Sequence, residues 1–81
     1  KAMEGAQIST GATITGGTSI GARTSIGAGC VIHDCIIGDD VIIESGAQLS
    51  HSFVAHGTKI AAGTVKKGHY LSEKLDLPIT V

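Results

Sequence analysis

Two of the chain's four histidines stand five residues apart in the stretch LSHSFVAHG, residues 49–57. A neutral imidazole is both a metal ligand and a general base near neutral pH. His51 and His56 are therefore candidates for either role. His33, in VIHDC, is a third candidate base, and Asp39, in IIGDD, adds a carboxylate. Two histidines and a carboxylate around one ion, His51 from one chain and His56 with Asp39 from another, would hold zinc and leave a position for activated water. One histidine at a cleft would serve as the base in a group transfer. The candidate catalytic residues are thus His33, His51 and His56, and the candidate metal ligands are His51, His56 and Asp39. Single histidines and aspartates on a surface are otherwise simply solvated.

What places these side chains is a repeat. Ile8, Ile14, Ile20, Ile26 and Ile32 fall every six residues; the series resumes at Ile37, Ile43 and Leu49, then Val54 and Ile60, then Val65. Three steps are five residues long: 32 to 37, 49 to 54 and 60 to 65. Two residues before each aliphatic stands a small or β-branched residue: Ala6, Ala12, Thr18, Thr24, Cys30, Cys35, Val41, Ala47, Ser52, Thr58 and Gly63. A helix needs a period near 3.6, so this spacing excludes one. Short strands with a corner every six residues fit both columns, each large aliphatic pointing inward. Glycines directly after the aliphatic (Gly21, Gly27, Gly38) are expected to supply backbone angles that other residues resist. Counting faces puts Ile14, Ile32, Leu49 and Val65 on one, Ile20, Ile37 and Val54 on another, and Ile8, Ile26, Ile43 and Ile60 on the third. His33 follows Ile32 on its face. His51 closes that face at a corner, and His56 stands at the next corner. Cys30 and Cys35 fall in the small inward column on neighbouring faces, as packing thiols rather than a disulfide.

The chain has 81 residues, enough for one small domain whose core must come from aliphatics, since it holds one Tyr, one Phe and no Trp. A core that small usually needs a second copy, a metal or a staple. Net charge is −1 with no basic stripe, which argues against nucleic acid. No apolar run approaches the ~18 residues of a membrane span. Nothing at the start resembles a signal peptide, so a cytoplasmic location is expected. Residues 1–5 are read as the start of the chain, with Lys1 and Ala2 a cloning remnant if Met3 is the native start, and otherwise as the beginning of a domain cut from something longer. Residues 6–67 form the repeat. Residues 68–81 form a C-terminal capping tail, with Ser72 as a helix N-cap and with Leu71, Leu75 and Leu77 over the last coil. Pro78 then sends the chain on extended.

The run SIGARTSIGAGCVIHDCIIGDDVIIESGAQ resembles the hexapeptide-repeat family over roughly residues 6–66. The resemblance implies an all-β fold, a left-handed parallel β-helix of somewhat more than three coils, against the usual right-handed crossover preference. It also implies side-by-side trimers. The five-residue steps in HDCIIGDDVIIESGAQLSHSFV are most similar to the C-terminal β-helices of sugar-1-phosphate nucleotidyltransferases. There, catalysis belongs to a separate nucleotide-binding domain, and the β-helix serves assembly and regulation. The expected function is such a structural or regulatory module, a homotrimer with no cofactor of its own, partnered by a separate nucleotidyltransferase domain.

Two enzymatic alternatives follow from the same superfamily. Hexapeptide acyltransferases use coenzyme A or acyl carrier protein and commonly a histidine base at a subunit cleft, for which His33, His51 or His56 would serve. The spacing of His51, His56 and Gly57, with Val31-Ile32-His33 before it, resembles gamma-class carbonic anhydrases, which implies zinc between subunits. Here an extra hexad, ESGAQL, rotates the histidine pair by one face relative to His33. That leaves Asp39 one coil below His56 at the same corner.

Overall fold

The structure, a computed structural model, describes residues 3–79. The expectation for Lys1 and Ala2 lies outside the described residues. Thirteen strands of two or three residues follow one another with no helix among the described residues. They are β1 (Gln7–Ile8), β2 (Thr13–Thr15), β3 (Ser19–Ile20), β4 (Ser25–Ile26), β5 (Val31–His33), β6 (Ile36–Ile37), β7 (Ile42–Ile43), β8 (Gln48–Ser50), β9 (Phe53–Val54), β10 (Lys59–Ile60), β11 (Val65–Lys67), β12 (His69–Leu71) and β13 (Asp76–Pro78). Every third strand belongs to the same sheet. The Ile8 face runs β1-β4-β7-β10, the Ile14 face β2-β5-β8-β11, and the Ile20 face β3-β6-β9-β12 with β13 added outside β12. All pairings between coils are parallel, and only β12 with β13 is antiparallel. Three faces with four stacked strands each make a parallel β-helix of about 4 turns.

The inward column is the core. Ile20, Ile26, Ile32, Ile37, Ile43, Leu49, Val54, Ile60 and Leu71 are buried, and each fully buried aliphatic contributes roughly 1.5–3 kcal/mol. The small column fills the space beside the corners: Thr18, Thr24, Cys30, Cys35, Val41, Ala47, Ser52 and Thr58 are buried too. Its hydroxyls satisfy corner backbone, except Thr58 Oγ1, which is buried without a partner among the described residues. Thr24 Oγ1 donates to Gly38 O at 2.8 Å and accepts from Val41 N at 3.2 Å. Ser52 Oγ donates to Ser50 O at 2.8 Å and accepts from His69 N at 3.1 Å. Both cysteines are free thiols packed in this column, and burial pushes the Cys35 thiol up.

Four details differ from the sequence reading. Val65 is not an inward residue: it is 66% exposed, and Lys66 pairs with Leu49 across the ladder. The third short step is therefore 66 to 71 rather than 60 to 65, and Thr64 takes the small position assigned to Gly63. Lys66 is tolerated there because it lies on the last coil, where its Nζ reaches Asp76 Oδ2 at 2.7 Å. Second, the β-helix continues past residue 67. His69–Leu71 stacks on Phe53 and Val54, and Leu71 enters the core while Leu75 and Leu77 stay exposed. Third, Ser72 caps a turn instead of a helix, accepting from Leu75 N at 3.0 Å in the hairpin between β12 and β13. Pro78 lies on the outermost strand, where a missing N–H costs no ladder bond. Fourth, Gly21, Gly27 and Gly38 do not have positive φ. They are needed for close approach: a Cβ on Gly27 would come within 2.7 Å of Ser45 N, and one on Gly38 within 2.8 Å of His56 N.

Candidate functional site

The three corners share one backbone solution and differ in what they carry. Each holds a left-handed residue whose N–H donates to the coil below. At the corner between the Ile8 and Ile14 faces all four are glycine: Gly11, Gly29, Gly46 and Gly63. Between the Ile20 and Ile8 faces stand Gly5, Arg23, Asp40 and Gly57. Between the Ile14 and Ile20 faces stand Gly16, Asp34, His51 and Gly68. A left-handed conformation is unfavourable for a side-chain-bearing residue, least so for Asn and Asp. Two corners thus trade glycine for charged or titratable groups in their middle coils.

The corner between the Ile14 and Ile20 faces assembles a cluster. His33 and Thr15 are in register on β5 and β2, and Asp34 and His51 follow at the turn of successive coils. Asp34 N donates to Thr15 O at 3.3 Å, and His51 N to His33 O at 2.9 Å, which fixes where both side chains start. His33 Nε2 lies 3.1 Å from Asp34 Oδ2, and His51 Nδ1 lies 3.8 Å from the same oxygen. One ligand atom from each of His33, Asp34 and His51 lies within 4.8 Å of the others, and this is the one such group of three or more His, Cys, Asp or Glu among the described residues. The imidazoles meet edge to face, with centroids 5.5 Å apart at 87°. Behind them, His33 Nδ1 shares a hydrogen with Thr15 Oγ1 at 2.8 Å, and Asp34 Oδ1 accepts from Gly17 N at 2.7 Å. That backbone hydrogen bond holds the Asp34 carboxyl below the ordinary aspartate range; burial opposes it by less, and His33 and then His51 add weaker downward pulls.

The residues proposed from sequence are divided between corners. His33 and His51 come together; His56 and Asp39 do not join them. His56 Nδ1 accepts from Asp39 N at 2.7 Å, one coil below, and Asp39 Oδ1 accepts from Ala22 N at 2.8 Å, one coil lower again. The stack continues beside Arg23, whose Nε and Nη2 bind Asp40 Oδ1 and Oδ2 at 2.8 and 3.1 Å. That pair holds the Asp40 carboxyl down and the guanidinium up. Asp34 is the member of the His33–His51 cluster that sequence reasoning missed. Its signal was present: Asp34 stands two residues after Ile32, as His51 stands two after Leu49, so one corner holds both.

A second feature lies on the adjoining face. Along the outside of the Ile20 face, Ser19, Ile36, Phe53, Tyr70 and Leu77 are in cross-strand register. Phe53 and Tyr70 stack at 5.4 Å and 14°. Ile36 is 54% and Phe53 38% exposed, so the ladder presents an apolar stripe to solvent. The equivalent positions of the Ile8 face are Gln7, Ser25, Ile42 and Lys59. At the top, His69 Nδ1 and Lys66 Nζ both bind Asp76, at 2.6 and 2.7 Å, which pins β13 to the end of the stack and keeps the Asp76 carboxyl low. No helix among the described residues is long and apolar enough to cross a membrane.

No curated protein sequence matches the chain. Among solved structures, the chain is similar to a mutant of GDP-perosamine N-acetyl transferase from Caulobacter crescentus in complex with CoA and GDP-perosamine. The identity is 12% and the TM-score 0.36, over 89% of this chain and 52% of that one. The chain thus spans about half the length of that protein. The family described as the GMPPB C-terminal domain matches residues 2–75. Four stacked coils, built on a hexapeptide rhythm and matched almost end to end, belong to this family, the left-handed β-helix of sugar-1-phosphate nucleotidyltransferases.

Proposed function

We propose that the domain is an assembly module, associating side by side with further copies of itself as a trimer, and that it performs no chemistry in its own coils. The observation that carries this reading is the apolar stripe on the Ile20 face. A short prism with little core gains most by covering exposed aliphatic and aromatic surface with another copy. Ile36, Phe53 and Tyr70 stand in one row down this face, stacked flat enough to meet the same row of a neighbour. In the assembled protein, a nucleotide-binding domain would supply catalysis, and the β-helix would set its spacing and number. The steps between stacked inward positions are five or six residues from Ile8 to Leu71, so among the described residues no loop rises between coils to build an acceptor pocket for acyl transfer.

Sedimentation equilibrium tests this directly. The chain is expected to run as a trimer, and Phe53→Glu as a monomer, because a carboxylate in the middle of the stripe would have to be buried. A monomeric wild-type chain at tens of micromolar, or a Phe53→Glu trimer, overturns the reading.

A further inference from the structure

The geometry points to a divalent metal site at the corner between the Ile14 and Ile20 faces, with His33 Nε2, Asp34 Oδ2 and His51 Nδ1 as ligands from a single chain. It is independent of the apolar stripe and of any assembly through it.

Three observations carry the site. The first is convergence. Around an ion with bonds of ~2.0–2.1 Å in tetrahedral geometry, neighbouring ligand atoms lie about 3.3 Å apart. The two imidazole nitrogens lie 3.1 and 3.8 Å from Asp34 Oδ2, and one ligand atom from each of the three residues lies within 4.8 Å of the others. Small rotations of half-exposed rings close the remaining gap.

The second is the support behind the ligands. Thr15 Oγ1 engages His33 Nδ1, which lets the Nδ1–H donate to the hydroxyl and leaves the Nε2 lone pair for a cation. Gly17 N–H occupies Asp34 Oδ1, so Oδ2 is the oxygen that faces the two imidazoles. Outer partners of this kind orient the first ligands and sharpen affinity. Gly16 keeps the space open, since a Cβ there would strike the Asp34 carboxylate and the His33 ring.

The third is the contrast between corners. Arg23 and Asp40 occupy the equivalent left-handed positions one corner away and complete each other as a two-bond ion pair. Arg has no lone pair to offer, so that corner is closed to a cation. The histidine corner brings together three groups that can each offer a lone pair.

Two imidazole nitrogens and one carboxylate oxygen form a borderline donor set. It favours first-row ions such as Zn²⁺, Co²⁺ or Ni²⁺ over Mg²⁺ and Ca²⁺. The solvent side of the corner leaves the remaining positions to water.

The test is a titration of the tag-free chain with Co²⁺, read by its visible d–d absorption, followed by Zn²⁺ displacement in a calorimeter. One ion per chain is expected. His51→Asn and Asp34→Asn are the variants of choice, because Asn tolerates the left-handed backbone at both positions. Each should weaken binding by about 10-fold or more while leaving the sedimentation behaviour in place; His51→Asn should also keep the melting curve, and Asp34→Asn should lose only the Asp34 share of the acid-sensitive stability. Thr15→Val should weaken it less, by removing only the support behind His33. His56→Ala and His69→Ala should leave it unchanged. No saturable binding, one ion per three chains, or binding insensitive to His51→Asn would each overturn the site.

Discussion

The corner of Arg23 and Asp40 and the corner of Asp34 and His51 have the same backbone and opposite chemistry. In both, two middle coils replace glycine at a left-handed position, with φ of 59° and 56° in one and 51° and 49° in the other. In both, the N–H of each such residue is tied to the coil below. One corner closes on itself as a guanidinium–carboxylate pair. The other gathers two imidazoles against one carboxylate, supported from behind by a threonine hydroxyl and a backbone N–H. A β-helix corner is thus a fixed frame, and its function is set by whether the side chains mounted on it satisfy each other.

That comparison can be broken most severely through the frame itself. Gly21 opens the Arg23 corner, and a Cβ on it would lie against the Gly38 carbonyl of the next coil. Neither backbone can yield without opening the ladder. Gly21→Ala is expected to cost about 3 kcal/mol, the upper end of overpacking effects, read as a lower urea midpoint. A midpoint equal to wild type would show that the coils are not in such close contact.

A smaller effect separates the corners by their contents. Gly29, on the all-glycine corner, has nothing within 4 Å of a Cβ position, whereas Gly16 faces Asp34 and His33. Gly29→Ala should cost only its backbone conformation, ~1–2 kcal/mol. Gly16→Ala should cost more and displace the carboxylate from Gly17 N. Equal midpoints for the two variants would mean that the cluster leaves no room constraint at its corner.

Acid sharpens the contrast further. The Asp34, Asp40 and Asp76 carboxyls are all held below the ordinary aspartate value of about 3.9. Groups depressed in the folded state stabilise it fully above that value, and the contribution is lost as pH falls through the folded pKa. Melting temperature should therefore drop below about pH 4. The two corners part in cause: Arg23 holds Asp40 down, whereas a backbone N–H is the main influence on Asp34. Arg23→Gln should remove the Asp40 part of the acid slope and leave the Asp34 part. An unchanged slope in Arg23→Gln would contradict that division.

The smallest effect is expected at neutral pH. Arg23 and Asp40 are both well exposed, and exposed ion pairs contribute little. Arg23→Gln should lower the urea midpoint at pH 7 only slightly, by the same small amount that it takes from the acid slope, despite two good hydrogen bonds. A clear loss would show that this corner is braced by its ion pair.

The features legible in the sequence were those carried by repetition. Two columns offset by two residues located the inward side chains from Ile14 to Ile60 and placed His51 and His56 on different corners, and the structure has them there. The repeat lost its grip where it met a free end. Val65 looked inward because it continued an aliphatic series, yet the ladder registers Lys66 with Leu49. Among the described residues no strand stacks beyond β11, so a lysine stem that ends on Asp76 serves as well. The tail read as a helix start became a hairpin, because the open edge of β12 offered hydrogen-bond partners that a short helix would have left unpaired.

By itself, then, the sequence determined the solenoid: its period, its core residues and the faces on which its histidines fall. These follow from burial, which a periodic sequence states many times over. Only the tertiary structure decided which polar groups meet. Asp34 and His51 are joined by a seventeen-residue coil, and His33 reaches them from the strand before. Their meeting depends on the stacking distance between coils and on left-handed turns that aim the side chains together. Neither is written in residue type, because a surface histidine obeys the same rules of composition whether it faces water or a waiting carboxylate.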